Sequence, residues 1–592
     1  MSFQAPVGDI AFTLKYTAGF KRALEEGLGG DLTEDLVDAV LEEAGRFASD
    51  VIAPLNREGD AHGAVLRDGI VTMPPGWKDA YRAWTAAGWN ALAGPVEFGG
   101  QGLPHALNAA CIEMWNSASM AFGLGPLLTM GAIEALAAHG SDALKRGYLS
   151  KLVSGEWMGT MQLTEPQSGS DLSGLRTRAE RAGDGTYRIR GQKIFITYGE
   201  HDLTENIVHF VLARLPDAPP ATRGLSLFLV PKVLVDGSGR LGARNDARCH
   251  SLEHKLGIHA SPTCTMVYGD EGGATAFLVG EENRGLACMF TMMNNARLGV
   301  GLQGVAIAER ATQLALAYAR ERRQGGGATI RPIIAHPDVK RMLLTMRTLT
   351  KAARVICYKT AVAIDQSHRS PDEAGRRAAQ ERASVLTPIA KAFSTDIGNE
   401  VSSLGVQVHG GLGYVEETGA AQLFRDARIT PIYEGTNGIQ AIDLVTRKLP
   451  LAGGDAVRAV VGDLRATIAA LAARNAQDLG VIGARLAETV DSLERATTWL
   501  LGELGQRPEA ALAGATPYLR LFAVAVGGCA LAEEAMAASR VEAAPGGTTH
   551  RDAAMTVARF FADHVAITGA ALERAVVEGS DVVNAAQLAL SA

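Results

Sequence analysis

The sequence predicts an α+β fold in which the β-strands are confined to the middle of the chain. Three observations support this: helical periodicity up to about residue 155, a group of short β-branched and aromatic runs after it, and a return of helical periodicity near residue 286. Strands that are segregated from helices are typical of this class. The order α, β, α, α predicts four units, at 1–155, 156–285, 286–450 and 451–592.

The first two units differ in the spacing of their apolar residues. DLVDAVLEEAGRFASDVIAPL (35–55) repeats apolar residues every three to four positions, which predicts an amphipathic helix. The second unit predicts strands, because β-branched and aromatic residues fill the runs TYRIRGQKIFITYG, NIVHFVLARL, LSLFLVPKVLV and TCTMVYGD. Between two of its strands, GDGTY (183–187) predicts a hairpin turn.

The third and fourth units are predicted to be helical. The run LGVGLQGVAIAERATQLALAYARERRQ (298–324) has the pattern of one long helix. The sequence PLAGG (450–454) predicts a linker, and the Ala-rich remainder predicts an additional helical domain.

Composition narrows the class of protein. The 592 residues are 47% hydrophobic, which supports large cores, and a net charge of −7 gives no reason to expect nucleic-acid binding. Six scattered cysteines without a CxxC pair favour reduced thiols and a cytoplasmic location. The start, MSFQAPVGDIAFTLKY, predicts no signal peptide. The uncharged run between Glu113 and Glu134 contains Asn116 and Pro126, so it predicts a buried core segment and no integral membrane segment.

Two motifs suggest sites that their context does not support. GVGLQG (299–304) matches a dinucleotide-binding fingerprint, but it lies inside a helical pattern and follows no strand, so close helix packing is the better interpretation. CHSLEHKLGIH (249–259) offers a cysteine and three histidines, but no separate second ligand pair accompanies them. We therefore expect no metal.

Two segments of the predicted β unit suit a flat ring or a phosphate. MQLTEPQSGSD (161–171) gathers hydroxyls and small residues in one irregular loop, although an ordinary turn has the same composition. In KIFITYG (193–199), strand alternation places Phe195 and Thr197 on one face, where they could flank a heteroaromatic ring or simply pack in a core.

Three later segments carry further candidates. YARERRQGGG (318–327) ends a helix with Arg322, which could meet a phosphate or complement the helix dipole. QVHGGLGY (407–414) could admit phosphates or cap a helix. In TPIYEGTNGIQ (430–440) a single acid, Glu434, stands among apolar and small residues, which indicates either a surface loop or a general base kept away from water.

Taken together, in their order and at their distances, TEPQSGSD, KIFITYG, the Arg-rich helix end, QVHGGLGY, LFRDARI and IYEGTNGIQ resemble the acyl-CoA dehydrogenase family. The resemblance spans most of residues 1–450 and implies a fold of an N-terminal helical domain, a central β domain and a C-terminal helical bundle. The extra helical domain after residue 450, with EHKLGIHASPT and EGTNGIQAIDLVTRKL, is similar to a bacterial branch that includes 3-methylmercaptopropionyl-CoA dehydrogenases.

The resemblance also implies roles for individual residues. Glu434 would be the catalytic base that takes the α-proton of an acyl-CoA thioester, and FAD would accept the β-hydrogen to give a trans-2-enoyl-CoA. Substrate contacts are implied for Ser170, Arg297 and Gly435. Contacts to FAD are implied for Leu163, Thr164, Gly169, Ser170, Phe195, Thr197, Arg322, Gln324, Gln407, Gly410, Gly411, Thr436 and Gly438.

Some of these implied contacts cross a subunit interface. Arg322 and Gln324, with Gln407, Gly410 and Gly411, are expected to reach the FAD of a neighbouring subunit, which implies a homo-oligomer. The added helices could cover the surface that other members use to form tetramers, so a homodimer is expected. Two positions depart from the family pattern: Phe195 replaces a common tryptophan, and Gly325 stands where many members have Phe.

The function implied is an FAD-dependent acyl-CoA dehydrogenase that passes electrons to an electron-transfer flavoprotein. Its substrate could be 3-methylmercaptopropionyl-CoA or a medium- or long-chain acyl-CoA of β-oxidation. An oxidase that reacts with oxygen remains an alternative. A non-catalytic flavin-binding relative is disfavoured because Glu434 is present and no dense Lys/Arg run follows residue 450.

Overall fold

The computed structural model describes residues 3–236, 239–325, 330–474, 477–540 and 547–591. The N-terminal part is helical, as predicted, with one small hairpin that the sequence pattern did not reveal. Its helices are α1 (Val7–Phe12), α2 (Phe20–Glu25), α3 (Glu34–Phe47), α4 (Leu55–His62), α5 (Trp77–Ala86), α6 (His105–Ala118), α7 (Met120–His139), α8 (Asp142–Leu144) and α9 (Ser150–Val153). The hairpin strands are β1 (Val65–Arg67) and β2 (Ile70–Thr72).

An eight-stranded sheet follows. Its strands are β3 (Met158–Gln162), β4 (Arg178–Arg181), β5 (Tyr187–Thr197), β6 (Ile207–Arg214), β7 (Leu225–Pro231), β10 (Ala247–Leu252), β11 (Thr263–Tyr268) and β12 (Ala274–Val279). Strands β8 (Val233–Val235) and β9 (Leu241–Arg244) form a separate hairpin. The order across the sheet is β10-β11-β5-β12-β7-β6-β3, with β4 beside β5 and β6. Arg181 pairs with Tyr187, so GDGTY is a hairpin turn as predicted.

The third part is a bundle of long helices. It contains α10 (Gly285–Glu321), α11 (Pro337–Arg369), α12 (Glu373–His409), α13 (Ala420–Ala427) and α14 (Asn437–Asp443), with the two-residue strands β13 (Arg323–Gln324) and β14 (Arg331–Pro332) between α10 and α11. Thr436 caps α14 by accepting a hydrogen bond from the backbone N–H of Ile439 (3.1 Å). The loop that holds Glu434 therefore ends at a fixed helix N-terminus.

The chain after residue 450 is also helical. Its helices are α15 (Asp455–Ala472), α16 (Gln477–Gln506), α17 (Pro508–Ala513), α18 (Ala515–Ala538), α19 (Gly547–His564), α20 (Gly569–Val577), α21 (Ser580–Asn584) and α22 (Gln587–Leu590). Helix α18 packs against α11, α12 and α14, so these added helices lie against the bundle rather than apart from it. The four-unit division of the chain remains our proposal.

Two glycines of the GVGLQG sequence let helices α10 and α12 approach closely. A Cβ atom at Gly304 would collide with the backbone carbonyl of Ser394, and one at Gly301 would lie 2.8 Å from the carbonyl oxygen of Ala390. The motif lies in the middle of α10 and follows no strand. The interpretation as helix packing is confirmed.

A buried ionic cluster joins the N-terminal helices to the bundle. The guanidinium group of Arg354 on α11 contacts Glu113 at 2.6 Å, Glu309 at 2.8 Å and Asp9 at 2.8 Å. Lys351, one turn earlier, bridges Asp9 and Glu534 of α18. Hydrogen-bonded charges of this kind hold five helices, α1, α6, α10, α11 and α18, in one arrangement, and removing one partner leaves the others buried and unpaired.

Helices α7 and α18 are long and apolar enough to cross a membrane, yet 89% of the most apolar window of each is buried inside the protein. The segment between Glu113 and Glu134 is thus core, as predicted. Among the described residues, no group of three or more His, Cys, Asp or Glu side chains could hold a metal ion.

Candidate active site

A cavity of about 930 Å³ lies where the sheet meets the bundle. The loop after β3, the end of β5, the start of α10 and the loop before α14 all contribute to it. Ten of the predicted site residues line this cavity, and they come from four separate parts of the chain: Leu163, Thr164, Gly169, Ser170, Phe195, Thr197, Arg297, Glu434, Gly435 and Thr436.

A buried ion pair anchors the loop that follows β3. Lys193 on β5 donates hydrogen bonds to the Leu163 carbonyl (2.9 Å) and to the Glu165 carboxylate (2.8 Å). Burial alone would raise the pKa of Glu165, but the charge of Lys193 and hydrogen bonds from Thr177 and Arg176 lower it to about 2. With Glu165 held inward, the following residues Gly169 and Ser170 are exposed to the cavity.

Strand β5 bends where it enters the cavity. Its pairing with β11 shifts register between Lys193 and Ile196, and Phe195 adopts a left-handed backbone (φ 59°). Phe195 is 59% exposed, and with Thr197 it faces the cavity. An aromatic face and a hydroxyl therefore stand open at one wall, in the pairing that the strand pattern predicts.

Glu434 occupies a strained turn between two ordered elements. Its φ of 56° is uncommon for a residue with a side chain, and Gly435 follows with φ 82°. A Cβ atom at position 435 would lie 2.7 Å from Nε2 at the end of the Gln440 side chain, which can move, so the backbone angle is what favours glycine there. Gln440 donates to the carbonyl of Glu434 (3.3 Å), which holds the turn from the α14 side.

The electrostatic surroundings of Glu434 suit a base that works near neutral pH. Burial away from bulk water raises the pKa of Glu434 to about 7, against the opposing charges of Lys391 and Arg297. The hydroxyl of the preceding residue, Tyr433, donates a hydrogen bond to Gln303 on α10. Glu434 itself is half-buried and open to the cavity. Among the described residues its carboxylate forms no close ion pair.

Arg297 lines the same cavity as Glu434. It is buried on α10, and its guanidinium group is 3.6 Å from the carboxylate of Asp443. Burial lowers the pKa of Arg297, which the charges of Asp443 and Glu434 partly offset. Its Nε has no hydrogen-bond partner among the described residues, so Arg297 retains a donor inside the site.

The remaining predicted residues do not line this cavity. Gly438 is in the first turn of α14, and the other five lie at one end of the bundle: Arg322, Gln324, Gln407, Gly410 and Gly411. There Tyr318 of α10 stacks on His409 of α12, with ring centroids 4.5 Å apart, and brings the two helix ends together. All five are exposed in a single chain.

The cavity has apolar walls and a polar rim. The walls include Leu128, Met161, Leu286, Phe290, Met293, Ile432, Ile439 and Ile442. The charged lining includes the basic side chains His254, Lys255, Arg425, Arg428 and Arg447 and the acids Asp171, Glu253, Asp426 and Asp443. Such a site can keep water from an apolar chain while accepting anionic groups at its mouth.

Sequence reasoning missed Lys391, which is buried on α12 behind the Glu434 turn. Its Nζ donates to the carbonyl of Gly435 at 2.9 Å. The signal for it was a single lysine within the apolar run TPIAKAF (387–393), because a lysine is rarely buried without a specific partner.

Four family models match the chain in sequence. They are described as the acyl-CoA dehydrogenase N-terminal domain (35–156), middle domain (160–270) and C-terminal domain (283–449), and as an acetyl-CoA dehydrogenase C-terminal-like region (460–587). The chain is 48% identical over 593 residues to 3-methylmercaptopropionyl-CoA dehydrogenase of Ruegeria pomeroyi, which covers 99% of this chain and 100% of that protein.

More distant proteins extend the comparison. A butyryl-CoA dehydrogenase of Syntrophomonas wolfei is 36% identical over 451 residues, 73% of this chain and 74% of that protein. The crystal structure of an acyl-CoA dehydrogenase complexed with FAD from Bacillus anthracis superposes with a TM-score of 0.76 at 20% identity, covering 95% of this chain and 91% of that one. The sequence identities and the shared fold show that the chain belongs to the acyl-CoA dehydrogenase family.

Proposed function

We propose that the protein is an FAD-dependent acyl-CoA dehydrogenase in which Glu434 is the catalytic base. The observation that carries this proposal is the half-buried carboxylate of Glu434, whose pKa is raised to about 7 by burial, in a cavity that Phe195 and Thr197 also line. An α-proton beside a thioester is weakly acidic, so its removal requires a carboxylate that is more basic than one in water.

The residues present fit FAD. Phe195 exposes an aromatic face inside a cavity, where a flat ring would cover it, and the backbone from Leu163 to Ser170 runs beside it. In this chain Leu163, Thr164, Gly169, Ser170, Phe195, Thr197 and Thr436 would hold the ring system and the adjoining phosphate. Gly438 lies two residues after Thr436, in the first turn of α14, and would contact FAD through its backbone.

FAD, when bound, supplies the acceptor for the two electrons and the β-hydrogen that leave the substrate. The protein's own part is to bind, orient and exclude water. Glu434 takes the α-proton on its carboxylate, while Arg297, Ser170 and Gly435 would orient the thioester end of the substrate. The apolar walls keep bulk water from the carboxylate, which preserves its basicity.

The substrate that we propose is a short acyl-CoA, with 3-methylmercaptopropionyl-CoA as the first candidate. Support comes from the Ruegeria pomeroyi relative of that name, which matches over its whole length, including the region after residue 450. The wall residues Met161, Phe290 and Met293 are unbranched or flat, and they can pack around a thioether chain.

Butyryl-CoA is the second candidate, favoured by the Syntrophomonas wolfei relatives. A butyryl and a methylthiopropionyl chain differ by little in size, and one extra group in an apolar pocket changes selectivity by only about 10- to 200-fold. The two substrates therefore have to be distinguished by rate rather than by presence or absence of activity. Medium- and long-chain thioesters complete the series.

A panel of thioesters tests these proposals. The holoenzyme is mixed anaerobically with 3-methylmercaptopropionyl-CoA, butyryl-CoA, octanoyl-CoA or palmitoyl-CoA, and the loss of flavin absorbance is followed. We expect the fastest bleaching with the first, and a preference for a long chain would contradict the substrate assignment. Re-oxidation of the bleached enzyme by an electron-transfer flavoprotein, but only slowly by air, would separate a dehydrogenase from an oxidase.

We also propose a homodimer that acts in the cytoplasm. The exposed cluster of Arg322, Gln324, Gln407, Gly410 and Gly411 is expected to complete the FAD site of a second copy, which supports the assembly. Sedimentation of the active holoenzyme tests this. A dimer is expected, and a fully active monomer would contradict it.

A further inference from the structure

Lys391 connects helix α12 to the turn that carries Glu434. Its side chain is buried, and its Nζ donates one hydrogen bond to the carbonyl oxygen of Gly435 and another to Oδ1 of Asn437, both at 2.9 Å. Gly435 follows Glu434 directly, and Asn437 begins α14. One ammonium group thus holds the turn at two points.

Asn437 continues this hydrogen-bond network from the turn to helix α12. Asn437 donates to Oδ1 of Asp396 (2.7 Å) and to the carbonyl of Ala392 (3.1 Å), both on α12. Arg520 of α18 lies 4.9 Å from the centre of the Phe393 ring, and its charge opposes the burial that raises the pKa of Asp396. The added C-terminal helices therefore cover the back of this network.

This arrangement gives the strained turn a physical support. A left-handed φ at a residue with a side chain is strained, and such a conformation persists only when its surroundings determine it. Lys391 fixes the Gly435 carbonyl, and Gln440 fixes the Glu434 carbonyl at 3.3 Å. Both peptide groups that flank the turn are thereby oriented from the bundle.

The charge of Lys391 acts on the base as well. Burial lowers the pKa of Lys391, and the charges of Glu434 and Asp396 oppose that shift and favour the ammonium form. The charged and titratable groups that surround the pair are few and come from several elements: Arg297 on α10, Asp396 on α12, Tyr433 in the turn, Asp443 and Arg447 beyond it, and Arg520 on α18. Of the two charges that oppose the effect of burial on the pKa of Glu434, Lys391 has the larger effect and Arg297 the smaller.

We propose that Lys391 is a positioning residue for Glu434: its ammonium group fixes the left-handed turn through the Gly435 carbonyl, and its positive charge stabilises the carboxylate form of the base. The inference deepens the proposed function and rests on it. A lysine that only filled the core would make hydrogen bonds within its own helix or to solvent, whereas both hydrogen bonds of Lys391 reach the turn and α14.

The test compares pH profiles of anaerobic flavin bleaching by the preferred thioester. Lys391→Met removes the ammonium charge and both of its hydrogen bonds. Asn437→Ala removes the side-chain amide that accepts one of them and keeps the charge of Lys391. Lys359→Met is the matched control, because Lys359 ties α11 to Glu533 of α18 by a 2.5 Å ion pair and does not line the cavity.

For Lys391→Met we expect the midpoint of the profile to move by about one pH unit to higher pH, because an opposite charge nearby lowers a carboxyl pKa by that order. We also expect the plateau rate to fall about tenfold or more, since a small displacement of a catalytic group is costly. Asn437→Ala should lower the plateau and leave the midpoint nearly in place, and Lys359→Met should match the wild type in both.

Different failures have different consequences. A wild-type midpoint and plateau in Lys391→Met would overturn the positioning role while leaving the dehydrogenase proposal intact. If Lys391→Met does not retain FAD, the Asn437→Ala profile decides, and an unchanged plateau there would overturn the inference. A wild-type holoenzyme that no thioester bleaches would refute the proposed function itself.

Discussion

The hydroxyl of Tyr433 donates a hydrogen bond to Oε1 of Gln303, and this contact joins the turn that carries Glu434, the proposed catalytic base, to helix α10. Gln303 lies within GVGLQG, next to Gly304, whose missing side chain lets α10 approach α12. The GVGLQG sequence therefore contributes to the site through a hydrogen bond and close helix packing, although it resembles a dinucleotide-binding fingerprint. It sets the distance between α10 and α12, the two helices that contact the Glu434 turn through Gln303 and Lys391.

Gly304→Ala should destabilise the protein and disturb the site together. The added methyl group would collide with the Ser394 carbonyl, and overpacking of this kind costs about 1–3 kcal/mol. The free energy of unfolding in denaturant and the rate of flavin bleaching measure the two effects. Gly462→Ala on α15 is the control, because nothing lies within 4 Å of its added Cβ; an equal loss in both variants would contradict close packing as the cause.

Arg354→Met should be among the most destabilising substitutions in the bundle. It would leave Glu113, Glu309 and Asp9 without their shared guanidinium group, and breaking a buried ion pair costs about 3–5 kcal/mol. Chemical denaturation measures the change.

Arg341→Met, on the same helix, removes only a surface contact to Asp338, for which about 0–1 kcal/mol is expected. If Arg354→Met and Arg341→Met lower the free energy of unfolding by similar amounts, the buried ion pairs of Arg354 do not contribute the expected stability.

The rate of flavin bleaching should rise with pH through about 7. As the proposed base, Glu434 can act only when ionised, and its pKa is raised from 4.5 to about 7, so protonation below that value would remove the active form. We expect the rate to fall about tenfold for each pH unit below the midpoint. Flavin absorbance and thioester binding, measured at each pH, control for loss of cofactor or substrate. A midpoint near 4.5 would indicate that the carboxylate is solvated.

Much of the fold was predictable because its periodicities are local. The long helix pattern at 298–324 and the hairpin at GDGTY both follow from spacing within one segment. The structure contains the hairpin, and it contains the helix as α10, which ends at Glu321, three residues before the predicted end. The hairpin of β1 and β2 was missed because its strands have three residues each, too few to show alternation.

The site was predictable only in part, for a physical reason. Residues such as Thr164, Phe195 and Glu434 lie in loops with recognisable composition, and the structure brings them to one cavity. Lys391 could not be assigned to the same site from spacing, because its role depends on how α12 crosses behind a turn more than forty residues later. The support given by α18 is likewise a tertiary contact with no local signal.

The most direct test of the account is the anaerobic bleaching of Glu434→Gln beside the wild type. The amide keeps the size of the side chain and cannot take a proton, so we expect normal FAD content and thioester binding with a bleaching rate lower by about 10²- to 10⁴-fold. Bleaching at close to the wild-type rate would contradict the assignment of Glu434 as the base.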